Sequence, residues 1–235
     1  CDIDFSFTPV LDINFGTSSV IGDRAFHQHA KPIIDLASSV MDGLSSGGMK
    51  SVGKHFPGHG FIKADTHLEN ANDDRSFEEI QKKDMNIFKE MIKKNIAGVM
   101  PSHVIYSSCD QNPAGFSHFW LEVQLRKLLN FEGAIFSDDM GMKAAQIYEK
   151  DLVSRVRKCL EAGCDMVLVC NQGDDVDKVL NKLSWNQDSI SIKRLSNMRR
   201  GYIKNNKSDS SQLNFCYEDA KKDIKELKKK GKKLR

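Results

Sequence analysis

The chain has 235 residues, 40% of them hydrophobic and 29% charged, with a formal net charge of +3. That length allows one large core, the fractions are ordinary for a globular domain, and so small a charge gives no global argument for a nucleic-acid partner. No apolar run approaches the ~20 residues that cross a bilayer, and the six cysteines show neither a CxxC pairing nor an evident disulfide framework.

A strand is predicted over Ile3–Leu11, ending in Asp12, Ile13 and Asn14. Residues 15–26, with Gly16, Gly22 and several Ser and Thr, read as a loop. Ile33, Ala37, Val40, Met41 and Leu44 form the apolar stripe of a helix over Pro32–Leu44, with proline in its first turn and glycines beyond its end. A second strand, Met49–His55, runs into KHFPGHGFIKADTH (54–67). An ordinary core wants apolar residues there and an ordinary loop carries fewer imidazoles, so this stretch reads as an active-site loop.

Ser76 and Glu79 make a capping-box signature for the next helix, with Phe77, Ile80, Ile87, Phe88, Met91 and Ile92 on its buried face. A third strand, Ala97–Met100, leads to Pro101, Ser102 and His103. A helix over Phe119–Leu129 carries Leu121, Leu125, Leu128 and Leu129. The fourth strand, Gly133–Phe136, ends in Ser137, Asp138 and Asp139, and one helix, Lys143–Ala162, follows. The fifth strand, Met166–Val169, ends in Cys170 and Asn171 before a helix over Val176–Leu183. Cys159, Cys164 and Cys170 read as small buried thiols of a reducing cytoplasm. The Lys-rich run Lys221–Arg235 reads as a solvated helix end or frayed terminus.

Short apolar strands alternating with helices indicate an α/β fold with a parallel sheet covered on both faces. Asp12, the His55 loop, His103, Asp138 and Asn171 all fall at carboxyl ends of strands. That is the active-site end of a (β/α)8 barrel and the ligand edge of an open doubly wound sheet, and five units do not choose between them. Neither GxGxxG nor GxxxxGK[ST] occurs, which removes the usual nucleotide-binding arguments.

Three groups could carry chemistry. Asp65 lies two residues from His67 and could orient an imidazole acid/base. Asp138 and Asp139 follow an apolar strand, where one carboxylate could be nucleophile, base or metal ligand and the other a helix cap; chemistry is assigned to Asp138 and support to Asp139. Lys54 and His55 end the second strand, with Arg24 a further candidate clamp and His59 as much structural as functional. These residues leave open a glycosidase, a metal-dependent hydrolase gripping an ion with His55, His59, His67 and Asp138, and a non-catalytic barrel fragment serving as an interaction surface.

The strings SVGKHFPGHGFIKADTH, MPSHVIY, GAIFSDDMGM and EAGCDMVLVCN closely resemble bacterial β-N-acetylglucosaminidases of glycoside hydrolase family 3. The runs Phe7–Asp12 and Ile21–Phe26 match in the same order, so the resemblance extends from Cys1 to about Leu183. It implies a (β/α)8 barrel that removes terminal N-acetylglucosamine from cell-wall muropeptides in the cytoplasm by a retaining double displacement. Asp138 matches the nucleophile, His67 the acid/base, Asp65 its partner, and Arg24, Lys54 and His55 the residues that bind the sugar.

No cofactor, metal, membrane or nucleic acid enters that chemistry, and oligomeric state is left open. Thr66 replaces the commoner serine and keeps the hydroxyl. The family barrel has three strands ahead of the one that opens this chain, including a DQEGGR-type segment that also holds the sugar. The expectation is therefore a fragment of a longer gene product: 1–183 as about the last five βα units of the barrel, and 184–235 as a helical, basic extension. Alone, such a chain is expected to be poorly soluble and nearly inactive.

Overall fold

A computed structural model describes residues 3–18, 20–62 and 71–200, together with Asp219, Lys221, Lys222, Lys225 and Glu226. Two compact units are distinguished, 1–201 and 202–235. The described residues of the second are helical, with Lys222 3.7 Å from Asp219 one turn away. Among the described residues no helix is long and apolar enough to cross a membrane.

The first unit is α/β. Its five-stranded sheet consists of β1 (Phe5–Ser6), β2 (Lys50–Phe56), β4 (Gly98–Pro101), β6 (Ala134–Asp139) and β7 (Met166–Leu168), all parallel and in that order across the sheet. Spatial order repeats chain order without reversal. A doubly wound sheet would change direction at a switch point, so this winding is of the barrel type. A small second sheet pairs β3 (Asn72–Asp73) with β5 (Ile105–Tyr106), also in parallel; no hydrophobic period announces such short strands.

Helix α1 (Ala30–Ser46) buries Ile33, Ala37 and Met41, three members of its predicted stripe. The next helical segment runs from α2 (Phe77–Ile80) through a π-type stretch, Gln81–Met85, into α3 (Asn86–Lys93). Ser76 caps it, its hydroxyl accepting the N–H of Glu79 at 3.3 Å. The segment Phe119–Leu128 is wound as a π-type helix throughout. That wider winding keeps Leu121 and Leu125 buried but carries Leu128 out to 53% exposure, against the regular stripe expected of it.

Two further boundaries differ from expectation. The first strand is regular only at Phe5–Ser6, because Pro9 has no N–H to continue the ladder. The pairing nevertheless persists through Val52 N–H to Thr8, Lys54 N–H to Pro9 and Leu11 N–H to Lys54. The long helix after β6 is two: α4 (Lys143–Tyr148) and α5 (Leu152–Ala162). Asp151 starts α5 by accepting Ser154 N–H at 2.7 Å, and Arg155 turns back to the carbonyls of Glu149 and Lys150. Helices α6 (Gly173–Lys182) and α7 (Ser189–Ser196) follow β7.

Each face of the sheet is apolar. On one, the helices bury a large cluster that includes Ile33, Phe56, Phe88, Met91 and Trp120. On the other, Val52, Met100, Ala134 and Phe136 pack with Met198, and Phe5, Phe7 and Phe136 meet at centroid separations of 5.1 to 5.6 Å. Close packing sets the residues between strands: a side chain at Gly53 would meet Leu11 and Ile96 at 2.6 and 2.7 Å. Asp165, just ahead of β7, joins sheet and helices by accepting Arg126 Nη2 and Ile135 N–H, both at 2.8 Å, with Arg194 at 3.4 Å.

Candidate active site

The carboxyl ends of β1, β2, β4 and β6 bring Asp12, Lys54, His55, His103 and Asp138 to one edge of the sheet. Asp12, 1% exposed, is the hub. Its Oδ2 accepts Nδ1–H of His55 at 2.7 Å, and its Oδ1 accepts the backbone N–H groups of His59 (2.8 Å) and His55 (3.3 Å). Burial pushes its pKa up, but the His55 ring, then His59 and its N–H, outweigh this and hold the carboxyl below its ordinary value. With the carboxyl ionised, the contact requires a proton on His55 Nδ1.

Asp138 is half-buried at the carboxyl end of β6. Desolvation would raise its pKa. His55, His103, the N–H of Asp139 and Lys54 together bring it below the usual carboxylate range, so it is ionised at neutral pH. One oxygen accepts Asp139 N–H at 2.8 Å. Lys54 is the reciprocal case: burial lowers its pKa, Arg24 lowers it further, and Asp138 and Asp12 oppose both. Arg24, exposed in the single turn Gly22–Arg24, thus acts electrostatically on the same edge. The Lys54–His55 and Phe56–Pro57 peptides are cis.

His103 is fully buried and within electrostatic reach of Asp138. Its Nε2–H donates to the carbonyl of Asp139 at 3.1 Å, the ring stacks on Phe116 at 5.4 Å, and Nδ1 has no hydrogen-bond partner. Burial lowers its pKa against the pull of Asp138 and Asp139, so the ring is neutral. His59 is buried with its ring 5.8 Å from that of His55, and burial likewise lowers its pKa despite Asp12.

Asp139 supports the site, though not as a helix cap. It accepts Gly141 N–H and Cys170 N–H, each at 2.9 Å, tying the turn after β6 to the end of β7. The residue at the N-cap of helix α4 is Met142, which makes no side-chain capping bond. Asp65 and His67 lie outside the described residues. Among the described residues no three His, Cys, Asp or Glu side chains form a group that could hold a metal ion.

Sequence reasoning missed the support under the turn 57–62. Tyr106 donates its hydroxyl to Gly58 at 2.9 Å, Thr17 donates to Phe61 at 2.7 Å, and a side chain at Gly60 would overlap the Ile13 carbonyl. Arg75 is buried between Asp73 and Asp84. The polar run Asn72–Arg75 was its one visible signal, and it resembles an ordinary approach to a capped helix.

Residues 1–197 match the family described as "Glycosyl hydrolase family 3 N terminal domain". A curated relative named beta-hexosaminidase, from Nitrosomonas eutropha, is 50% identical over 199 residues, covering 85% of this chain and 57% of its own length. Among solved structures, NagZ from Neisseria gonorrhoeae in complex with N-trifluoroacetyl-D-glucosamine superposes with a TM-score of 0.78 at 44% identity, covering 84% of this chain and 57% of that one. A family 3 β-N-acetylglucosaminidase from Paenibacillus superposes at 0.74 with 27% identity, over 82% and 39% of the two chains. The chain therefore spans somewhat over half the length of the curated relatives it matches.

Proposed function

The chain belongs to the glycosyl hydrolase family 3 N-terminal domain family, and from that premise we propose that it is the catalytic portion of a retaining β-N-acetylglucosaminidase. The observation that carries the reading is Asp138: a carboxylate kept ionised at the sheet edge, with the Asp12–His55 pair and Lys54 around it. That is the state a nucleophile needs. The named activities of the relatives, and the N-acetylglucosamine derivative bound by the gonococcal enzyme, supply the substrate class.

In this mechanism a carboxylate oxygen of Asp138 attacks the anomeric carbon. The bond to the leaving oxygen breaks as His67, oriented by Asp65, gives that oxygen a proton. A water then yields a proton to His67 and displaces Asp138, so configuration is retained. Arg24, Lys54 and His55 bind the sugar. The substrate is a muropeptide of peptidoglycan recycling, handled in the cytoplasm, and the sheet is the last five units of a (β/α)8 barrel with a basic extension from residue 184.

The test is hydrolysis of an aryl N-acetyl-β-glucosaminide, with the product anomer followed by NMR and the intermediate trapped with a 2-fluoro sugar. The β-anomer as first product and a label on Asp138 are expected. An inverted product, or a label on Asp139, would sink the assignment of Asp138 as nucleophile.

A further inference from the structure

The turn 57–62 and the segment 71–75 flank the residues assigned above as acid/base and partner, and one side chain holds both flanks. Arg75, 6% exposed, donates Nε and Nη2 to Asp73 at 3.0 and 2.6 Å, and Nη1 to Asp84 at 2.8 Å. Its guanidinium carbon lies 4.4 Å from the centroid of Phe61 and 5.2 Å from that of Phe15, and the two rings meet edge to face at 5.6 Å. Asp73 is fixed by pairing opposite Tyr106, whose hydroxyl holds Gly58. Asp84 packs so closely on Gly58 that a side chain there would overlap its carboxylate.

Stability alone gives little reason for this arrangement. The two carboxylates hold the guanidinium charged against its desolvation, yet apolar residues of the same volume often serve a fold as well as a buried ion pair. What apolar residues lack is direction: a planar fork with fixed bonds to two carboxylates and a ring on its face sets position and angle together.

We propose that Arg75, gripped by Asp73 and Asp84 and stacked on Phe61, is a positioning residue for proton transfer, clasping the two flanks of the acid/base segment in one geometry. This rests on the reading of His67 as the acid. The clasp touches no reacting atom; it acts through the chain it holds.

Leaving-group dependence tests it in the protein as encoded. A 2,4-dinitrophenyl N-acetyl-β-glucosaminide departs without a proton, whereas the methyl glycoside needs one. Arg75→Met should lower kcat/KM for the methyl glycoside by about 100-fold and that for the dinitrophenyl substrate at least about ten times less, with Arg75→Lys intermediate. Phe61→Leu removes only the stack and should show the same bias more weakly, which keeps the test open should Arg75→Met not fold. Equal losses on both substrates, or none, overturn the clasp. His67→Ala is the reference. If it shows the bias and the Arg75 and Phe61 variants do not, the clasp alone fails; if it shows none, the acid assignment fails and the clasp with it.

Discussion

Asp12 and His55 are 43 positions apart in the chain and 2.7 Å apart in the fold. Because the same carboxylate also holds the N–H groups of His55 and His59, one side chain sets a ring, the proton on its Nδ1 and the start of the turn that follows. Asp12→Ala removes the two acceptor oxygens of all three hydrogen bonds at once from a buried position. The expected loss is about 3–5 kcal/mol of unfolding free energy, measured by urea titration.

The same group fixes the sign of a pH effect. Its folded pKa lies below the ordinary 3.8, so its contribution is fully present above that value and disappears as pH falls through the folded pKa. Acid unfolding of the wild type should therefore steepen below about pH 4. Asp12→Asn, which keeps an acceptor and cannot titrate, should lose less on acidification, and a steeper loss in the variant would contradict the account.

Asp84 should behave in the opposite sense. Asp73 takes the bidentate face of Arg75, while one Asp84 oxygen is buried without a hydrogen bond. Burial pushes Asp84 up to about 6, and Arg75 only partly offsets it. The folded state thus holds this proton more tightly than the unfolded state between about pH 4 and 6, and the group's contribution to stability falls as pH rises through that window. Between pH 4 and 7 the stability of Asp84→Asn should gain on that of the wild type by about 2 kcal/mol. Parallel melting curves for the two proteins across that range would refute it.

Gly60→Ala tests the turn directly. The added methyl has no space, since the obstacle is the backbone carbonyl of Ile13 rather than a side chain that can swing away. A loss of at least about 1–3 kcal/mol is expected, with KM for an aryl N-acetylglucosaminide rising as the turn shifts. An unchanged melting temperature would show that Ile13 and the turn separate easily.

Asp165 supplies a contrast at the opposite end of the sheet. It is 4% exposed and joins Arg126, Arg194 and the N–H of Ile135. Asp165→Ala should cost about 3–5 kcal/mol of stability and leave KM of the folded fraction unchanged. A shifted KM would mean that strain at one end of the sheet reaches the other.

The repeating units were legible because parallel strands are short apolar runs and their helices carry stripes such as Ile33, Ala37 and Met41. Positions at strand ends followed from the same pattern, which is why Asp12, His55, His103 and Asp138 could be placed at one edge. Their pairings could not. Asp12 as the acceptor for His55 depends on the register Val10–Lys54, and the approach of Arg75 to Phe61 goes with a second small sheet in which Asp73 pairs opposite Tyr106. The break at Asp151 and the π-type winding of Phe119–Leu128 are invisible for a different reason: each trades a regular helical bond for a local one without altering composition.

The strand order also has a meaning in time. A chain made from its amino end lays each of these strands beside the one completed just before it, so the sheet can widen in the order of synthesis with no later strand inserted between earlier ones. Asp12 is made first, Lys54 and His55 next, and Asp138 last of these. The carboxylate proposed to attack therefore reaches an edge whose other residues are already held by finished strands. Until it does, the open side of β4 waits for β6, and in that interval a stalled or slowly translated chain offers an unpaired edge to another.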